Sequence, residues 1–284
     1  MMRHIVAFGG GMIFDPVIIQ YCCNLVPKSK LLDTKTSEER KIKLCYLPTA
    51  SGDQKMRIDC FYNELSILNN CHIELSHIQL VDRTTQVSDK INNEEVIEWD
   101  AKKAKEELAN RLAKSNKFLE EKLIEQDVIF VGGGNTVNML MIWREHGVYN
   151  ILKKCYQKGI ILCGTSAGAL CWFEGGITDS YGPLLPLYDG LGLLPYRCCP
   201  HFLNPARKII SKLTLLSELE GPKKSQMVAI DDGAAVHFVD EQILTVVSSR
   251  PGSSGYMVSL EGDGHEFKVS HAAANKLLPA VNRF

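Results

Sequence analysis

Gly164, Ser166 and Gly168 stand two residues apart in KGIILCGTSAGALCW (158–172), behind the apolar run Ile160 to Cys163 and ahead of Ala169 to Trp172. A G-x-S-x-G pentad between a short buried strand and a helix is the nucleophile-elbow pattern. The turn is sharp enough to hold its serine in a strained backbone region, and the flanking glycines let neighbouring backbone approach without a Cβ in the way. Ser166 would then stand at the carboxyl end of a sheet, facing the free N–H groups and positive end of the following helix, a setting suited to a developing oxyanion. A plain small-residue turn can share these five letters; the strand before and the helix after favour chemistry.

A serine hydroxyl needs a base within hydrogen-bond reach and a group that orients that base. Of eight histidines, His201 has the best context, between Pro200 and Phe202, after strand-like residues and before a helix. Asp231 and Asp232 end another strand at the same notional sheet edge, and either could orient His201; an ordinary Asp-Asp-Gly turn is the competing reading. Gly132-Gly133-Gly134-Asn135-Thr136 joins strand DVIFV (127–131) to a helix beginning at Val137. Three glycines there leave N–H groups pointing outward. The stretch lacks G-x-G-x-x-G and the Lys-Ser/Thr pair of a Walker loop, so it is not a nucleotide fingerprint. Beside an elbow, one of its glycines can supply a second oxyanion donor.

The elements that must position these groups alternate. RHIVAF (3–8) reads as a first strand closing in the flexible turn Gly9-Gly10-Gly11, and Asp15-Pro16 can start a helix running to about Leu25. Strand IKLCYL (42–47) follows, then a helix from about Asp53 to Asn70 with Met56, Cys60, Phe61, Leu65 and Leu68 near helical spacing, then a strand from His72 to Leu80. Strand–helix–strand alternation predicts an α/β fold, a mostly parallel sheet with helices on both faces. A polar loop and one long charged amphipathic helix occupy 82–126. A helix is expected from about Pro205 to Glu218, and short strands at 242–248, 255–260 and 266–270 predict a small antiparallel C-terminal β extension. One domain over 1–284 is expected, with an insertion at about 82–126 and a β tail at about 240–284.

Composition narrows the class. The 284 residues are 45% hydrophobic and 23% charged with a net charge of −1, as in ordinary globular proteins, which argues against a nucleic-acid or membrane partner. No apolar run is long enough to span a membrane, and MMRHIVAFGGG lacks signal-peptide architecture, so a cytoplasmic location is expected. The ten cysteines include no C-x-x-C, which argues against zinc and thioredoxin-type motifs; they read as small buried hydrophobes, with some redox sensitivity conceivable at Cys198 and Cys199.

Four motifs in order, DVIFVGGGNT (127–136), GTSAGAL (164–170), DGLGLLPYRCCPHF (189–202) and AIDDGAA (229–235), resemble the dipeptidase E/cyanophycinase family of serine peptidases, which has a class I glutamine-amidotransferase-like α/β fold. The resemblance spans most of the chain and, taken jointly, is specific. It implies Ser166 as nucleophile, His201 as base and Asp232 as third member, with Asp231 the nearby alternative. It implies oxyanion donors at Ala167 and at Gly133 or Gly134, and a substrate site lined by Asn135 and Thr136. It further implies a short peptide substrate, as dipeptidase E acts on peptides with an N-terminal aspartate, with no metal or cofactor and a monomer or homodimer. Cyanophycinases carry Asp-Gln before the histidine and arginines after it. Here Cys199-Pro200 precede His201 and only Arg207 follows closely, which looks like the dipeptidase branch. Arg197 and Arg207 are the candidate cations for a substrate carboxylate. Rival expectations are another amide, a β-aspartyl peptide or an ester as substrate, or a binding protein on the same scaffold.

Overall fold

The computed structural model describes residues 2–32, 39–81, 116–217, 226–261 and 266–279. The expected loop and most of the expected long helix, 82–115, lie outside the described residues. In chain order the elements are β1 (His4–Phe8), α1 (Pro16–Cys23), α2 (Lys28–Leu31), β2 (Ile42–Leu47), α3 (Lys55–Leu65), β3 (Ile73–His77), α4 (116–124), β4 (Val128–Val131), α5 (Thr136–Glu145), α6 (Val148–Gln157), β5 (Ile161–Thr165), α7 (Ala167–Leu170), β6 (Phe173–Thr178), β7 (Leu185–Leu187), β8 (Leu194–Pro200), α8 (Pro205–Ser217), β9 (Met227–Ile230), β10 (Ala234–Val239), β11 (Gln242–Ser248), β12 (Gly255–Glu261), β13 (Glu266–His271) and β14 (Asn275–Leu277).

The fold is α/β. The first sheet runs β14-β11-β10-β1-β5-β4-β2-β3, and β1, β5, β4, β2 and β3 are mutually parallel. These strands are near-continuous apolar runs because both faces are covered. Val6, Phe8, Leu44, Tyr46, Val128, Phe130 and Cys163 pack with α1 and α3 on one face. Ile5, Ala7, Cys45, Leu47, Ile129, Val131 and Leu162 pack with α4 to α7 on the other. Asp15 caps α1 through bonds from the Val17 and Ile18 N–H groups. α3 is shorter than its apolar spacing predicted, ending at Leu65 in a 3₁₀ turn over Ser66–Cys71, and Met56 is exposed while Ile58, Phe61 and Leu65 are buried.

A second sheet, β13-β12-β9-β8-β6-β7, is the main departure from expectation. The glycine-, proline- and leucine-rich stretch 173–190 supplies two of its strands, β6 and β7, and the strand-like residues before His201 supply β8. The expected C-terminal extension is divided: β11 and β14 widen the first sheet, whereas β12 and β13 join the second. β6, β8 and β9 are mutually parallel, and the pairing of Pro200 with Ile230 puts the exits of β8 and β9 side by side. β10 then runs antiparallel to β1 with Ala235 opposite Phe8, so the start of β10 meets the end of β1. The two sheets thereby bring the ends of β1, β4, β5, β8 and β9 and the start of β10 to one edge.

Candidate active site

That edge is where the parallel strands end, the usual position of ligand sites in open α/β sheets. β5 delivers Ser166 there with φ 55° and ψ −111°, outside the regions a serine ordinarily occupies. Its N–H is held by the Phe8 carbonyl at 3.2 Å. α7 is a single turn, Ala167–Leu170, which begins and ends two residues earlier than the helix expected over Ala169 to Trp172, and the chain re-enters a strand at Phe173. A single turn weakens the macrodipole argument, but the free N–H groups of a first turn remain.

β8 delivers His201, whose φ of 150° is unusual for a residue with a Cβ. The turn between β9 and β10 delivers Asp231 and Asp232. Ser166 Oγ lies 2.5 Å from His201 Nε2, and His201 Nδ1 lies 2.7 Å from Asp232 Oδ1. An ionised carboxylate only accepts, so Nδ1 carries the proton and Nε2 is left to accept the Ser166 hydroxyl proton. Such a chain can raise the nucleophilicity of an oxygen and hold the imidazolium that results. Side-chain exposures of 29% for His201 and 46% for Asp232 leave this pair open to solvent. Backbone strain at two of three linked residues is what over-determined functional sites show.

Asp231 has a different environment. Its carboxylate is fully buried and accepts from the Ser254 N–H at 3.1 Å and the Tyr256 hydroxyl at 3.0 Å. Burial pushes its pKa up, against the lowering effect of those two bonds. Asp232, not Asp231, therefore faces His201.

Glycines let the two sheets meet. Gly10 has φ +137°, and a Cβ on it would sit 2.2 Å from His201 Cε1 and 2.6 Å from Asp232 Oδ1. Its carbonyl accepts from the Gly233 N–H at 2.9 Å, tying the turn after β1 to the Asp231–Gly233 turn. Sequence reasoning took Gly9-Gly10-Gly11 for a flexible turn. The available signal was its likeness to Gly132–Gly134, since both are triple glycines directly after a buried parallel strand.

In the second glycine run, the Gly132 and Asn135 N–H groups are spent on the carbonyls of Leu47 (3.2 Å) and Ala50 (2.8 Å). Among the described residues no backbone acceptor takes the N–H of Gly133, Gly134 or Ala167. Gly133 lies against Ser166, where a Cβ would come 3.3 Å from that of the serine. Gly134, at φ +148°, instead abuts the Ala50 carbonyl. Asn135 caps α5 through the Asn138 N–H and donates to the Ser180 carbonyl, and Thr136 is buried with its N–H on Ser180 Oγ. Neither lines the cleft around Ser166, because both are committed to fixing α5 and the 178–180 turn.

The cleft is lined by Gly10 to Ile13, Tyr46, Arg57, Gly132–Gly134, Thr165, Ser166 and His201. Tyr46 and Arg57 went unnoticed in the sequence, since they fall in an ordinary strand and an ordinary amphipathic helix. Arg207 is buried, donating to the Ile177 carbonyl and Asp179, and Arg197 stacks over Tyr188; neither lines the cleft. Cys198 and Cys199 are buried, and burial pushes the Cys199 thiol up to about 11, which removes the thiolate that redox sensitivity would need. Among the described residues no helix is long and apolar enough to cross a membrane, and no cluster of side chains could hold a metal ion.

The model for peptidase family S51 matches residues 105–246. A Bacillus subtilis (strain 168) protein named "Uncharacterized peptidase YgaJ" is 33% identical over 268 residues, covering 91% of this chain and 93% of that protein. The chain belongs to peptidase family S51. It is accordingly a peptidase, and of the dipeptidase E-like kind. Peptidase E of Pasteurella multocida (strain Pm70) is 32% identical over 122 residues, 41% of this chain and 52% of that protein, so the match spans about half the relative's length. A crystal structure of a peptidase from an acI-B1 actinobacterium superposes with a TM-score of 0.56 over 95% of both chains at 16% identity, a likeness of fold.

Proposed function

We propose that this family S51 member is a serine peptidase acting on short peptides, an aspartyl-dipeptidase-like exopeptidase. Ser166 is the nucleophile, His201 the general base and then acid, and Asp232 the group that orients His201. The observation that carries this reading is the unbroken path from Ser166 Oγ through His201 to Asp232, at 2.5 and 2.7 Å.

Ser166 Oγ attacks the scissile carbonyl as His201 Nε2 takes its proton. The negative charge passes to the carbonyl oxygen, where the N–H groups of Ala167 and Gly133 receive it, with Gly134 the further donor of the same loop. His201 returns the proton to the leaving amine, and the C–N bond breaks. A water, deprotonated by His201, then attacks the acyl-enzyme and releases the acid with Ser166 restored. The short-peptide, aspartyl specificity rests on the resemblance of the four motifs to dipeptidase E. The free buried thiols of the described chain support a reducing, cytoplasmic setting.

The test is hydrolysis of a dipeptide panel that includes Asp-Leu and a β-aspartyl dipeptide, with wild type and Ser166→Ala, alongside labelling by a covalent serine probe. Cleavage of Asp-Leu that vanishes in Ser166→Ala supports the reading. A wild type that neither cleaves the panel nor labels at Ser166 ends it.

A further inference from the structure

One side chain in the cleft has no task in the reaction above. Arg57 lies in the first turn of α3 and lines the same cleft as Ser166 and His201. Among the described residues its Nε is buried with no hydrogen-bond partner. The neighbouring acids of the helix are otherwise engaged. Asp59 pairs with Lys55 at 2.6 Å, and Asp53 accepts from the Leu80 N–H and, at 2.6 Å, the Val81 N–H. Among the described residues the cleft lining holds this guanidinium and no carboxylate. A cationic donor withdrawn from water with no acceptor is unfavourable, and a ligand that supplies an acceptor removes the penalty. The guanidinium is also a rigid planar fork that matches a carboxylate with two parallel bonds.

We infer that Arg57 is a specificity-determining residue that binds a carboxylate carried by the substrate. This rests on reading the cleft as the peptidase site. Two parts of a short peptide could bring the group to Arg57, an acidic side chain or the C-terminal carboxylate. Arg57 displaces Arg197 and Arg207 from that role, because both spend their guanidinium groups outside the cleft. The other lining groups suit an oriented short ligand: Met12 and Ile13 offer apolar contact on one side, and the Tyr46 hydroxyl, close enough to Gly132 to meet a Cβ there at 2.7 Å, is a polar neighbour.

The experiment compares Asp-Leu with Asn-Leu, which removes the side-chain charge, and with Asp-Leu-amide, which removes the terminal charge. For wild type, one of the two neutralised peptides is expected to be poorer in kcat/KM by about 100-fold, the range for charge-assisted bonds in a binding site. In Arg57→Met that ratio falls to within about threefold of one, and Arg57→Lys recovers part of it, since charge is retained but the fork is lost. Collapse of the Asn-Leu ratio identifies the side-chain carboxylate; collapse of the Asp-Leu-amide ratio identifies the C-terminal one. Ratios unchanged in Arg57→Met overturn the proposal. A second measurement needs no turnover: Asp-Leu binding to Ser166→Ala by calorimetry, with and without Arg57→Met. About tenfold or greater weakening is expected. Equal affinity, or no binding of Asp-Leu by either protein, overturns the assignment, whereas absence of cleavage and labelling in wild type overturns only the peptidase mechanism.

Discussion

Gly10→Ala tests how tightly the two sheets are joined at the site. The added Cβ would lie 2.2 Å from His201 Cε1 and 2.6 Å from Asp232 Oδ1. Carbon atoms in contact normally sit about 3.5 Å apart, so the imidazole must retreat by roughly 1.3 Å. The bonds it makes to Ser166 and Asp232 are 2.5 and 2.7 Å long. A retreat of that size takes at least one of them out of hydrogen-bonding range. Misplacement by about 1 Å lowers rates by about 100-fold, equivalent to about 2.7 kcal/mol of transition-state stabilisation. The φ of +137° adds a backbone penalty of about 1–3 kcal/mol to folding. Gly252→Ala separates the two effects, since Gly252 has φ +82° and open space where its Cβ would go. That variant should lose about 1 kcal/mol of stability and keep wild-type kcat/KM. Thermal unfolding reads the shared backbone effect, and kcat/KM on a cleavable dipeptide with the rate of Ser166 labelling reads the clash. A Gly10→Ala protein within threefold of wild type in kcat/KM would refute the argument that the turn after β1 sets the position of His201.

Asp232→Asn should lower kcat/KM by about 10³-fold, because the amide no longer holds His201 Nδ1 as the proton-bearing nitrogen. Asp231→Asn should stay within about tenfold, because the amide oxygen can still accept from Ser254 and Tyr256; the reverse ranking would move the orienting role to Asp231. His237 is buried between His4 and Tyr21, with ring nitrogens 3.0 Å from His4 Nδ1 and 2.8 Å from the Tyr21 hydroxyl, and burial lowers its pKa to about 4. Its unfolded value is about 6.5, so the unfolded chain takes up the proton first as pH falls. The stability tied to neutral His237 is therefore complete above about pH 6.5 and drains away towards about pH 4, by roughly 3 kcal/mol at most. Urea unfolding at pH 7.5, 5.5 and 4.5 should show a shallower decline for His237→Gln than for wild type; parallel declines would assign the acid sensitivity to other groups.

The arrangement also accounts for the order of the motifs along the chain. Ser166 comes from the first sheet, whereas His201 and Asp232 come from the junction of the second sheet with β10. His201 and Asp232 are neighbours because β8 and β9 pair in parallel with Pro200 opposite Ile230. Ser166 reaches them only because β1 lies between β5 and β10 and ends in glycines. Any side chain on Gly10 would occupy the space the imidazole fills.

Much of this was legible in the residues alone. Short apolar runs, closed by glycine or in β2 by Pro48, announced β1, β2, β4 and β5, and the Ser166 pentad carried its own strained geometry because the flanking glycines and the strand-to-turn context are local. Asp15 and Pro16 likewise announced the start of α1. Long-range pairing could not be read this way. Residues 173–190 are rich in glycine, proline and leucine, and β6 within them became an inner strand because β8 lies beside it and is itself held by β9. The β tail was likewise divided between two sheets by its pairing partners. The choice between Asp231 and Asp232 also belonged to tertiary structure: adjacent residues on a turn point in different directions, and the packing of Ser254 and Tyr256 captured one carboxylate and left the other to His201. Asn135 and Thr136, next to the glycine run in sequence, were drawn away by α5 and Ser180, while Arg57, more than 100 residues from Ser166, was brought into the cleft. Local sequence dictates which conformations each segment can hold; only the packing of β1 between two distant strands decides which side chains meet there.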